Sequence, residues 1–151
     1  MKFKLLVILG FVMLIGSCTK EVSSPTNSDP AVTNTTTKNT ASTGAGRFQA
    51  AEHPTTGNVS VVNENGKRYI VFDESFKTDS GPDLFVILHR NSTVPVSGVR
   101  EKDYIQLARL QKINGTQRYA IPANVQLADF RSVAVWCKQF NATFGFAPLS
   151  N

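Results

Sequence analysis

The chain is poor in the residues that most chemistry needs. It holds two cysteines, Cys18 and Cys137, two histidines, His53 and His89, and one tryptophan, Trp136. No glycine-rich phosphate loop is present. No Cys-x-x-Cys, His-x-His or Cys-x-x-Cys-His run occurs, which removes a c-type haem attachment site. No serine sits in a nucleophile elbow and no carboxylate pair is set by helical spacing, so hydrolase chemistry has no support and no reaction is assigned. No segment keeps a helical period long enough to build a βαβ unit, and no internal repeat stands out. Lysine and arginine do not cluster beyond pairs such as Lys67-Arg68. The formal net charge of +5, less Lys2 and Lys4 of the leader described below, is about +3. That is a mild surface charge and not a nucleic-acid footprint, so no nucleic-acid partner is expected.

What is present begins with an address. Met1 to Ser17 reads as a lipoprotein signal peptide. Lys2 and Lys4 form its charged start, and Leu5 to Ile15 its apolar run. That run is about 11 residues, against the roughly 20 helical residues needed to span a bilayer. It ends Leu14-Ile15-Gly16-Ser17-Cys18, small residues before the cut and a cysteine after it, as in the bacterial lipobox. Cys18 is therefore expected to carry acyl chains such as palmitate, at about 0.8 kcal/mol per buried CH2, with the lipid bilayer as its partner. The expected location is the bacterial cell envelope, lipid-anchored, facing the periplasm or the cell surface. Residues 18–43 are mostly Thr, Ser, Asn and Pro, too polar to offset chain ordering by burial, and read as a lipidated disordered tether.

Residues 44–151 read as one β domain of about 108 residues, enough for one modest core. Asn58 to Glu64 alternates as a strand, Asn65-Gly66 is a hairpin signal, and Lys67 to Phe72 is its partner. Phe76 is expected to turn inward. Asp79 to Pro82 is a turn, and Asp83 to His89 is an apolar run fit for a central strand. Weaker strands follow at Tyr104 to Leu110 and Arg118 to Ile121, with one helical turn in the irregular Pro122 to Phe130. Arg131 to Leu149 closes the chain. It alternates like a half-buried strand, with Val133, Val135 and Cys137 on one face and Ala134 and Trp136 on the other. Phe140, Phe144 and Phe146 are expected to carry apolar load onward through a second short strand at Asn-Ala-Thr. Many short strands at this spacing predict an all-β fold, an antiparallel β-sandwich or small β-barrel-like domain.

Cys137 is the residue of interest. With Cys18 acylated it has no partner within the chain, so a disulfide would join two chains, and the residues do not set an oligomeric state. It is either a buried core thiol, which the residues favour, or a redox thiol or ligand. His53, beside Glu52 in a turn, and His89, at the end of the apolar run, read as solvated ends of elements more readily than as ligands. Asp83, after Gly81-Pro82, is expected to accept backbone N–H groups in that turn. Were Cys137, His53 and a carboxylate to converge, the pocket would suit copper or haem iron. Trp136 is the remaining accessory candidate.

A series of motifs then resembles a known family. They are Gly46-Arg-Phe48, His53-x-x-x-Gly57, Tyr69-x-Val71-Phe72, Gly81-Pro82-Asp83-Leu84-x-Val86 and Gly115-x-Gln117-x-Tyr119-x-Ile121-Pro122. The last is Val133-x-Val135-Trp136-Cys137-x-x-Phe140-x-x-x-Phe144-Gly145-x-Ala147-x-Leu149. In this order they resemble the DM13 domain, found in bacterial surface proteins and in animal proteins beside DOMON and cytochrome b561 modules. The resemblance implies electron transfer or oxidation of surface proteins, with the family's cysteine, here Cys137, as a thiol or as ligand to a prosthetic group. It also implies an envelope redox or surface protein as partner, since no donor module is seen in this chain. Two functions follow. One is a membrane-tethered redox or haem/metal-binding module centred on Cys137, with no cofactor expected to be tightly held. The other is a cofactor-free β-domain that binds a surface protein or a glycan.

Overall fold

The computed structural model describes residues 41–150. The leader, Cys18 and nearly all of the tether lie outside those residues. Nine strands follow in order: β1 Ala41–Arg47, β2 Gln49–Ala50, β3 Asn58–Glu64, β4 Lys67–Phe72, β5 Leu84–His89, β6 Tyr104–Arg109, β7 Gln117–Ile121, β8 Ser132–Cys137 and β9 Ala142–Pro148. Among the described residues the helical content is two short 3-10 turns, Glu101–Asp103 and Leu127–Asp129.

The strands form two antiparallel sheets in the orders β1-β3-β4-β7 and β2-β9-β8-β5-β6. The sheets pack face to face as a sandwich and do not close into a barrel, so of the two architectures expected the sandwich is the one formed. Asn65 and Gly66 turn β3 into β4 with φ of 52° and 75°, the left-handed pair that a two-residue hairpin needs. The inner faces share one core. Val59, Val61, Ile70, Phe72, Tyr119 and Ile121 come from the first sheet, and Val86, Leu88, Val133, Val135 and Cys137 from the second. Phe76, turned inward as expected, packs on Phe48 and Phe72.

β1 begins at Ala41, ahead of the Gly44 boundary drawn from composition. Its pairing with β3 and the hydrogen bond from the Ala45 N–H to Ser150 Oγ, 3.0 Å, hold it against the C-terminal end of the chain. At Phe48 the chain leaves the first sheet and enters the second. Phe48 is buried, and its N–H donates to the Gly57 carbonyl across 2.9 Å.

The central strands of the second sheet, β9, β8 and β5, are buried on both faces, where alternation predicted one. A second apolar cluster covers its outer side: Phe85, Ile87, Val94, Val99, Ala134, Trp136 and Phe146. The 91–100 loop lies over this face. The Thr143 N–H donates to the Val96 carbonyl at 2.7 Å, and Thr143 Oγ1 donates to the Pro95 carbonyl at 2.6 Å. Hence β5 and β8 are buried at every position. The near-continuous apolar run of β5 is the sequence mark of that double burial.

Candidate functional site

Cys137 is the last residue of β8, where the chain turns at Lys138–Asn141 into β9. Asn141 makes the return possible by taking φ of 46°, a left-handed conformation that asparagine tolerates. The Cys137 side chain points into the inner core, 0 % exposed, between Leu84 of β5 and Ala142 of β9. It is a free thiol. The face assignment read from alternation holds: Val133, Val135 and Cys137 look inward, Ala134 and Trp136 outward.

Trp136 is 3 % exposed, and its ring meets Tyr104 with centroids 5.0 Å apart. Its Nε1–H donates to Asn141 Oδ1 at 3.0 Å. Asn141 Nδ2 donates to the Val99 carbonyl at 3.2 Å, so one amide fastens the indole and the covering loop together. Tyr104 is half-buried. Burial first, and then the Glu101 carboxylate, raise its phenol above the ordinary tyrosine value.

β9 carries a bulge at this end. Val135 pairs with Gly145, and the next residue, Trp136, pairs with Thr143, which leaves Phe144 as the extra residue. Phe144 therefore packs in the inner core, while Phe146 reaches the outer cluster. His53 stacks on Phe144, with ring centroids 3.8 Å apart and 26° between planes. Its Nδ1 lies 3.0 Å from Asp79 Oδ2. The pair pins the 51–57 segment to the 79–83 turn. Beneath it, the Thr55 and Thr78 hydroxyls share a hydrogen bond of 3.0 Å.

The other candidates fall elsewhere. His89 is not a solvated strand end. It is 1 % exposed, and its Nδ1 accepts the Asn91 N–H at 3.2 Å under the covering loop. It pairs with Ser132, at the opposite end of β8 from Cys137, about 17 Å away along the strand and on the other face. His89 is thus no partner for the thiol. Asp83 does not accept turn N–H groups at Oδ1. That buried atom accepts no hydrogen bond and instead faces Arg109 Nη2 at 2.6 Å as an ion pair, while the Asp83 carbonyl takes the Lys138 N–H. Phe140, expected to carry apolar load, sits at the turn tip and is 65 % exposed. The turn that carries the half-buried Asn141 projects it outward.

Copper would need further ligands near Cys137, and haem iron would need a cavity that opens on the thiol. Among the described residues no three His, Cys, Asp or Glu side chains gather as a metal-holding group. His53 approaches this end but is engaged by Asp79 and Phe144. A cavity of about 250 Å3 adjoins the same end, lined by Leu84, Arg109, Lys112 and Ile113 among others, but Cys137 is not on its wall. The described residues around Cys137 therefore do not fit a copper or haem site, and the chemistry available there is that of the thiol. Tyr104, Asp79 and Asn141 have no site role in the sequence reading, and Phe144 figures there only as apolar load and as a family motif position. Tyr104 sits in a plain alternating strand, and the other three gain their roles only from the bulge and the turn.

A family model described as electron transfer DM13 matches residues 47–149. Neither the comparison with curated proteins nor that with solved structures returns a match.

Proposed function

Starting from a chain that belongs to the electron transfer DM13 family, we propose that it is an electron-transfer module of the cell envelope, tethered through acylated Cys18, whose redox group is the Cys137 thiol. The observation that carries the reading is the placement of Cys137. It is the free thiol of the β domain, enclosed at the last position of a central strand and one residue from a tight turn. In this reading the thiol is oxidised by one electron and its proton passes to solvent. The acceptor is a one-electron redox centre in an envelope or surface protein. Enclosure keeps the oxidised sulfur from pairing with other thiols.

The test is protein-film voltammetry of the 41–151 chain and of its Cys137→Ser variant. The expected result is a redox wave in the first that is lost in the second. The variant keeps a strand-type circular dichroism spectrum and loses about 1–3 kcal/mol of stability in urea, from a hydroxyl placed where a thiol was. Identical electrode responses would sink the reading and favour a binding domain in which Cys137 only packs the core. Thiol labelling of the native protein is expected to be slow and to speed up on unfolding.

A further inference from the structure

An enclosed thiol raises the question of how an electron reaches the surface. Cys137 is 0 % exposed, and the next residue, Trp136, lies on the opposite face of the same strand at 3 % exposure. Indole and phenol are the side-chain rings that lose one electron at accessible potentials; phenylalanine rings are not. Of the three tyrosines in the chain, Tyr69 sits on the other sheet beneath Arg118, whose guanidinium carbon is 3.8 Å from its ring. Tyr119 is buried in the inner core against Phe72. Tyr104 is the one that meets the indole, at 5.0 Å between centroids, and it is half-buried with solvent on one side.

We propose that Trp136 and Tyr104 form a one-electron relay from the strand end that holds Cys137 to the protein surface; this rests on the electron-transfer reading above. The hydrogen bonds divide the work between the rings. Trp136 Nε1–H donates to Asn141 Oδ1, an amide oxygen that does not take up a proton, so the oxidised indole keeps its N–H and passes charge alone. With the acceptor at the surface, Tyr104 is oxidised first and gives its O–H proton to water; the phenoxyl radical then takes one electron from the indole and a proton from water, and the oxidised indole draws its electron from Cys137. The step is balanced: a phenoxyl radical, neutral indole and a hydrated proton become the phenol and the indole radical cation, and a flash that oxidises the indole runs the same step in reverse. The covering loop keeps the indole dry, since Asn141 also binds the Val99 carbonyl.

Because the chain has one tryptophan, the oxidised ring can be made at a single place. A laser flash at a wavelength absorbed by tryptophan ejects an electron from Trp136, and a cobalt(III) ammine complex in solution takes that electron up. Transient absorption of the full chain should then show the indole signal decaying as a tyrosyl signal rises. Tyr104→Phe, which keeps the ring and so the packing, should lose the tyrosyl rise, whereas Tyr69→Phe and Tyr119→Phe should retain it. No tyrosyl rise in the unaltered chain, or a rise that persists in Tyr104→Phe, overturns the relay. The tyrosyl rise should persist in Cys137→Ser at a yield no smaller than in the unaltered chain, because the hop needs only the two rings and the thiol competes with Tyr104 for the oxidised indole. Failure of the relay is thus separable from failure of the thiol reading, which the electrode measurement decides.

Discussion

Single side chains in this domain are held by burial more than by charge. Tyr119 is the clearest case. Burial raises its phenol from 10.0 to about 12, against the smaller opposing effect of the Gln111 N–H that donates to its oxygen. The hydroxyl itself donates to Gln117 Oε1 at 2.5 Å. A folded-state value above the unfolded one means that the contribution is complete below pH 10 and is lost as pH rises toward about 12. Denaturant midpoints measured across that window should therefore fall more steeply for the unaltered chain than for Tyr119→Phe. Equal slopes would place the alkaline loss elsewhere. The candidate site was legible at this scale only in part. Cys137 and Trp136 stand out by their rarity and by strand alternation. His89 was misplaced because a strand end looks solvated in sequence, and only the 91–100 loop folding back over it makes it buried. His53 was found as a residue, but its partners, Asp79 and Phe144, come from a turn and a bulge that local pattern does not reveal.

At the scale of elements, the bulge in β9 sets the geometry of the Cys137 end. A Cβ on Gly145 would stand 2.3 Å from Thr55 Cβ and 2.5 Å from its Oγ1, with the Thr55–Thr78 hydrogen bond holding that side chain in place. Gly145→Ala should therefore destabilise by about 1–3 kcal/mol, the overpacking range. At Gly66, by contrast, an added Cβ meets nothing, and the cost is that of forcing alanine to φ of 75°, about 1 kcal/mol. Paired urea melts decide it: equal losses would mean that the 51–57 segment yields easily. The element order itself was largely legible. β3, β4 and β5 lie where alternation, the Asn65-Gly66 turn and the apolar run put them. What escaped was β1, written in small polar residues that resemble the tether. The outer apolar cluster escaped too, because a loop that folds back over a sheet leaves no period in the sequence.

For the molecule as a whole, the tether and the anchor make one prediction together. The chain with its own leader should partition into the detergent phase, and Cys18→Ser should remain in the aqueous phase. A chain starting at Ala41 should melt where the full chain does. Equal partitioning of the first two would remove the lipid anchor, and a lower melting point for the third would mean that the tether adds packing. The corner at Phe48 has a consequence for synthesis. Directly after the corner, Gln49 and Ala50 pair with Phe146 and Gly145, so the partner of this early segment is made about a hundred residues later. At ribosomal rates of about 5–20 residues per second, that partner arrives on the order of ten seconds later. Until then the second sheet lacks β9 and the β2 that docks on it, so one side of the inner core is left uncovered. Such long-range pairing gives the domain a high contact order, which places refolding in the millisecond-to-second range of β-sandwiches. A nascent chain stopped short of β9 should stay open to proteases, and one extended past Pro148 should resist them.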